Sequence, residues 1–223
     1  MLPRYERNIP SLTLEESQLL RTKKVAVIGC GGLGGYIIEQ LARLGIGTIR
    51  IVDGDVFEES NLNRQLFSDV TVLGKPKTEV SMARIAAVNP DVKVEPLHGY
   101  LEEDNAAEFL RGCDAVVGAL DNIYTRRVLE RNCEELGIPY IYGAIHGWVA
   151  QVAVDMPGQR LIQKMYPEGA TFKDKSSLSF TPGLCASMQT ALCVKLLVGR
   201  PVQTGTIFYF DMLEQEFETI PMA

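Results

Sequence analysis

Short apolar runs alternate with segments of helical periodicity along residues 25–144. Residues 25–28 (Val-Ala-Val-Ile) suit a buried parallel strand, and a glycine-rich turn follows them. In the next segment Ile37, Ile38, Leu41 and Leu44 share one helical face, which Gly45 stops. Residues 48–52 read as a second strand ending at Asp53. A polar stretch without a period covers 54–77, and a helix over about 78–88 ends before Asn89-Pro90. Residues 92–97 alternate as a strand, 102–110 look helical and 115–120 form an apolar strand ending at Asp121. A helix over 124–136 stops at Gly137, and 140–144 is again a strand. Strands alternating with helices predict a parallel, doubly wound, Rossmann-like α/β sheet. The pattern then changes. Residues 149–155 are a strand with no helix before it, and 156–182 form a long loop containing Gly, Pro, Lys and Ser. A strong helix over about 184–198 and two alternating segments, 206–212 and 214–220, predict an antiparallel or mixed extension of the sheet. A loop of that length inside a compact domain is more often functional than idle.

Composition narrows the class without naming a chemistry. The 223 residues are 46% hydrophobic and 22% charged, enough for a full core without disulfide or metal staples. No apolar run reaches the roughly 18 residues of a membrane span, and residues 1–16 carry charges where a signal peptide would be apolar. The five cysteines are an odd number without close pairing, which predicts reduced thiols and a cytoplasmic protein. A net charge of −6 argues against a nucleic-acid partner.

The motif Gly29-Cys-Gly-Gly-Leu-Gly34 lies between a predicted strand and a predicted helix, the context that gives it weight as a phosphate loop. Gly29, Gly31, Gly32 and Gly34 let the backbone turn and approach a phosphate, and the helix N-terminus supplies N–H groups. Cys30, inside the motif, reads as a small packing residue. Asp53, 19 residues past Gly34, stands where an acid hydrogen-bonds ribose hydroxyls. A nicotinamide dehydrogenase is the obvious inference, but the remainder of the chain is short for a substrate domain. The two histidines, His98 and His146, read as structural or surface residues.

After Asp53 the chain offers Asp55, Ser60-Asn-Leu-Asn-Arg-Gln65 and Gly74-Lys-Pro-Lys77. A triphosphate carries about four charges, and Arg64 and Lys77 reaching one pocket would suit its β and γ groups. Asp121-Asn122 closes the next apolar strand at the carboxyl edge of the sheet, where Asp121 could hold magnesium between phosphates.

Together with Arg4-Tyr-Glu-Arg7 and Arg126, these motifs resemble the ThiF/MoeB/HesA family, related to the ubiquitin-activating enzymes, in order and spacing from Arg4 to about Asp211. The resemblance implies an ATP-dependent adenylyltransferase acting on the C-terminal Gly-Gly carboxylate of a small ubiquitin-like sulfur-carrier protein. It also implies a homodimer in which Arg7 reaches the partner protomer's ATP site. Asp53 would hold the ribose, and Asn61, Arg64 and Lys77 the phosphates. Asp55, Ser60 and Gln65 would belong to the same nucleotide site. Asp121 would position magnesium, Asn122 would shape the pocket, and Arg126 reads as a brace for that turn. The chain organises as one domain over 1–223: an arm (1–24) contributing to the dimer, a nucleotide-binding half (25–145), and a mixed-sheet half (146–223) with the crossover loop.

Two departures sharpen this expectation. Many family members bind zinc through two Cys-x-x-Cys pairs, but residues 156–164 and 217–223 contain no cysteine, so no zinc site is expected and extra apolar packing is the plain replacement. Some relatives carry a crossover-loop cysteine that takes up the activated carrier. Residues 172–180 hold serines and no thiol, and Cys185 opens an apolar helix with Met188, Leu192 and Leu196. An enzyme that stops at the acyl-adenylate, with sulfur from a separate donor, is therefore expected. Residues 168–181 would clamp the carrier's tail, with Lys173 and Lys175 solvated. Three alternatives stay open: activation of another carboxylate (peptide, small molecule or RNA-linked), a non-catalytic partner of an activating enzyme, and a dehydrogenase.

Overall fold

The computed structural model describes residues 2–167, 169–170 and 176–222. One eight-stranded sheet runs in the order β3-β2-β1-β4-β5-β6-β7-β8. Strands β1 (Lys24–Ile28), β2 (Thr48–Asp53), β3 (Lys93–His98), β4 (Ala115–Gly118) and β5 (Tyr140–His146) are parallel to one another. Strands β6 (Val149–Asp155), β7 (Thr206–Asp211) and β8 (Glu216–Pro221) extend the sheet antiparallel. Helices α2 (Gly32–Leu44), α3 (Lys77–Val88) and α7 (Phe180–Leu197) accompany one apolar cluster, in which Ile37, Ile38 and Leu41 meet Val25, Val27, Ala186 and Cys193. Helices α4 (Ala106–Leu110), α5 (Ile123–Leu136) and α6 (Leu161–Met165) accompany a second one around Ala26, Val116, Leu129 and Leu161. The mixed α/β sheet is the predicted class.

The differences have local causes. The arm is ordered by signals within it: a 3₁₀ turn over Pro3–Asn8, then α1 (Leu14–Leu20), opened by a Thr13/Glu16 capping box. Tyr5 is buried against Gly45, and its hydroxyl accepts from Asn89 Nδ2 at 2.7 Å, so the arm has a fixed anchor. The helix expected at 102–110 is a single turn. Asn105 Oδ1 accepts from the Glu102 N–H and its Nδ2 donates to the Tyr100 carbonyl, and this side-chain bonding competes with helical ladder bonds. Helix α7 begins four residues earlier than expected, because Pro182 falls in a first turn whose N–H groups have no intrahelical partner. The loop at 156–182 contains α6, and Ser177 forms a bridge with Gly147. Lys173 and Lys175 lie outside the described residues.

Where α6 begins, two buried carboxyls meet. Glu130 on α5 accepts from the N–H groups of Ile162 and Gln163, and Asp155 Oδ2 accepts from that of Leu161 at 3.3 Å. Burial, then the hydrogen bond and charge of Glu130, push the Asp155 carboxyl up to about 8, so the pair shares a proton at neutral pH. The sign follows from proton linkage. Below about pH 4 both folded and unfolded chains bind this proton; above it only the folded chain does, and stability falls until the folded group also ionises. Asp155→Asn, which keeps an acceptor for Leu161 and supplies a donor toward Glu130, is expected to raise Tm at pH 7–8 and to flatten the Tm–pH profile. Profiles that run parallel for the two proteins would contradict the shared proton.

Candidate functional site

A cavity of about 800 Å³ opens at the carboxyl ends of the parallel strands. Its floor is the glycine turn after β1. Gly29 has φ +99°, and a Cβ there would stand 2.5 Å from the Ala119 carbonyl oxygen; a Cβ on Gly34 would stand 1.8 Å from that of Gly29. The glycines thus serve close packing as much as ligand approach. Gly29, Gly31 and Gly32 line the cavity, whereas Gly34 is buried behind it. Helix α2 starts at Gly32 with no side-chain cap, leaving its first N–H groups for a bound anion.

Asp53 braces this turn. One carboxylate oxygen accepts from the Cys30 N–H at 2.6 Å and the other from that of Asp55 at 2.8 Å. Burial raises its pKa, with the two N–H groups and Lys77 opposing. Each oxygen keeps lone-pair capacity toward the cavity. Asp55 Oδ2 lies 2.9 Å from Lys77 Nζ, and its Oδ1 accepts from the Tyr100 hydroxyl at 2.8 Å. Burial opposes the ionised form of Asp55, but Lys77 and Tyr100 prevail and hold its carboxyl below the usual range. Lys77 is only 5% exposed, a cation buried at the wall of a cavity.

The 3₁₀ turn at Glu59–Asn61 delivers the rest of the polar wall. Asn61 is buried and caps that turn, accepting from the Glu58 N–H at 3.1 Å. Arg64 Nη1 donates to the Ser60 carbonyl at 3.0 Å and to Asn63 Oδ1 at 2.8 Å. Gln65 is buried against Gly31, and its Oε1 has no hydrogen-bond partner among the described residues. Such an orphaned acceptor at a cavity wall is what a ligand donor would satisfy. Ser60 is exposed and does not line the cavity; its carbonyl accepts from Arg64 and its hydroxyl from Asn61 Nδ2 at 3.4 Å. Arg7 also lies off its own chain's cavity, exposed on the anchored arm.

Opposite stands the β4 end. Asp121 lines the cavity. Asn122 also lines it, but its Oδ1 caps α5, accepting from the Thr125 N–H at 2.8 Å. Arg126 is a brace, donating from Nη2 to the Leu120 carbonyl at 2.6 Å, with its guanidinium 5.4 Å and 5.8 Å from the ring centres of Tyr142 and Tyr166. His146, read from sequence as structural or surface, is exposed and ends β5 on the cavity wall. Tyr100, Tyr124, Gln151 and Tyr166 line it as well and were not anticipated. For Tyr100, position just past a strand end was the available signal. The cavity therefore has a buried cation, an exposed carboxylate and an uncapped helix N-terminus facing one space.

The ThiF family model matches residues 5–223. The chain belongs to the ThiF family. It is 35% identical over 229 aligned residues to the SAMP-activating enzyme E1 of Haloferax volcanii, covering 99% of this chain and 85% of that protein. The sulfur carrier protein adenylyltransferase of Thermus thermophilus is 33% identical, with 98% and 86% covered. The molybdopterin-synthase adenylyltransferase of Salmonella typhimurium is 30% identical, with 98% and 92% covered. Among solved structures, E. coli MccB matches with TM-score 0.88 at 20% identity, covering 99% of this chain and 69% of that one, a likeness of fold. As a ThiF-family chain with such relatives, the protein is an adenylyltransferase. The dehydrogenase alternative falls away.

Proposed function

We propose that this ThiF-family protein adenylates the C-terminal glycine carboxylate of a small ubiquitin-like sulfur-carrier protein, using ATP and magnesium. The carrying observation is buried Lys77, paired with Asp55 and facing Asp121 and the glycine turn across one cavity. A C-terminal carboxylate, with pKa near ~3.5, is already ionised at neutral pH and needs no general base. Its oxygen attacks the α-phosphorus, the bond to the bridging oxygen breaks, and pyrophosphate leaves with the electron pair. What the protein must supply is alignment and charge neutralisation. The first turn of α2 would hold the phosphates, Arg64 and Lys77 would take up charge on the leaving group, and Asp53 would fix the ribose. Asp121, a single exposed carboxylate at the strand end, suits magnesium, which takes few protein ligands and completes its shell with phosphates and water. Magnesium, when bound, supplies further neutralisation of the pyrophosphate.

The protein acts as a homodimer in this reading, because Arg7 is exposed and anchored away from its own cavity. It forms no thioester of its own. All five cysteines are buried, and burial pushes the Cys185 thiol up to about 12, so a separate donor supplies sulfur. No zinc is needed. Gln159 packs on Gly205 and donates to Thr204 Oγ1 at 3.0 Å, and the Met222 N–H donates to the Gly205 carbonyl while its side chain joins the cluster holding Leu161 and Ile162. No described helix is long and apolar enough to cross a membrane, and five free thiols suit a cytoplasmic enzyme.

The test is pyrophosphate exchange. Protein, ATP, magnesium and labelled pyrophosphate are expected to return label to ATP only when a Gly-Gly carrier is present. Absence of exchange with every such carrier would sink the assignment, and undiminished exchange in Asp121→Ala would remove the magnesium role.

A further inference from the structure

We propose that Tyr100 is the stacking platform for the purine of the bound nucleotide. The inference rests on the ATP reading above and adds a residue that the sequence motifs do not contain. The sheet fixes where a base must go. Strand order places β1 with its glycine turn, β2 with Asp53, and β3 side by side, and Asp53 pairs in register with His98 at the end of β3. A nucleotide with its α-phosphate on the α2 N-terminus and its ribose on Asp53 extends its base toward the end of β3. Tyr100 stands there, two residues past that strand, and lines the cavity.

The ring is already set for stacking. A Cβ on Gly54 would stand 2.8–2.9 Å from three atoms of the Tyr100 ring, so the ring lies on the Gly54 backbone and only glycine admits it. The residue is nevertheless 62% exposed and belongs to neither apolar cluster, so the ring is not held there by core packing. Its hydroxyl is tied to Asp55 at 2.8 Å, and its carbonyl accepts from Asn105 Nδ2 at 3.0 Å. A ring fixed at its hydroxyl and backbone, with exposed surface beside a cavity, loses little freedom when a base covers it. Buried Leu101, next in sequence, and Leu120 add apolar surface to the same wall.

Calorimetric titration of the wild type, Tyr100→Ala and Tyr100→Phe with ATP and with inorganic tripolyphosphate tests this. Tripolyphosphate has the anionic chain and no base. Tyr100→Ala is expected to weaken ATP binding about tenfold and to leave tripolyphosphate binding nearly unchanged, whereas Tyr100→Phe keeps most of the ATP affinity. Unchanged ATP affinity in Tyr100→Ala would overturn the proposal. So would an equal loss for both ligands, which would mean that Tyr100 acts through Asp55 and Lys77. A wild type that binds tripolyphosphate and ATP equally well would overturn base recognition while leaving the phosphate site standing. One that binds neither would remove the ATP reading itself.

Discussion

Lys77→Ala is expected to lower carrier-dependent pyrophosphate exchange by two to three orders of magnitude, roughly the loss seen when one preorganised group is removed from a developing charge. The size follows from burial. Lys77 is 5% exposed, so its ammonium acts with little screening by solvent, and Asp55, its ion-pair partner, is half exposed and tolerates being left alone. The fold should therefore survive, with Tm changed by a few degrees, while kcat falls more than KM rises. Arg7→Ala should be similarly inactive if Arg7 serves the partner's site. Mixing the two inactive proteins then provides a sharper result. Half of the re-formed dimers would pair one chain of each kind, and each would hold one site with both Lys77 and a donated Arg7. About a quarter of wild-type activity should return. No recovery would place Arg7 outside the partner's site, and a Lys77→Ala enzyme within threefold of wild type would remove the lysine from the reaction.

How far the sequence was readable depended on whether a residue's signal was local. The glycine turn, Asp53 and Asp121 were legible because strand, turn and helix periodicity places them at strand ends without knowledge of long-range packing. Lys77 was legible as a phosphate cation beside Arg64, but not as a buried one. Its ion pair is with Asp55, 22 positions away, whose other oxygen accepts from the Tyr100 hydroxyl. Residues 102–110 misled because their composition is helical, while Asn105 binds the backbone on its N-terminal side. Tyr100 was passed over because it belongs to no motif; its place two residues past β3 was the local signal, and the strand order sets that end on the cavity. Ser60 meets its motif neighbours locally, accepting from Arg64 at its carbonyl and from Asn61 at its hydroxyl.

Gly34→Ala should abolish nucleotide binding and lower stability, although alanine is the better helix former by about 1 kcal/mol. Two effects oppose each other here, and geometry decides between them. The added methyl would stand 1.8 Å from the Gly29 carbonyl oxygen and 2.7 Å from its carbon, both backbone atoms of a turn that carries the Cys30 N–H to Asp53. No side chain can swing aside, so α2 must retreat from the strand end by more than 1 Å or so, and overpacking of this kind costs about 1–3 kcal/mol or more. The retreat also spoils the site, because the first N–H groups of α2 and the Asp53 carboxylate are held in register through that turn. Gly35 is the internal control. It lies in the same helix, but a methyl there would meet its nearest neighbour, Leu66 Cβ, at 3.5 Å, an ordinary contact. Gly35→Ala should therefore follow helix propensity and leave Tm equal or higher with ATP affinity intact. If Gly34→Ala behaved like Gly35→Ala in both measurements, close approach of helix to strand would not be what the motif's last glycine provides, and the phosphate site would have to lie elsewhere along the cavity.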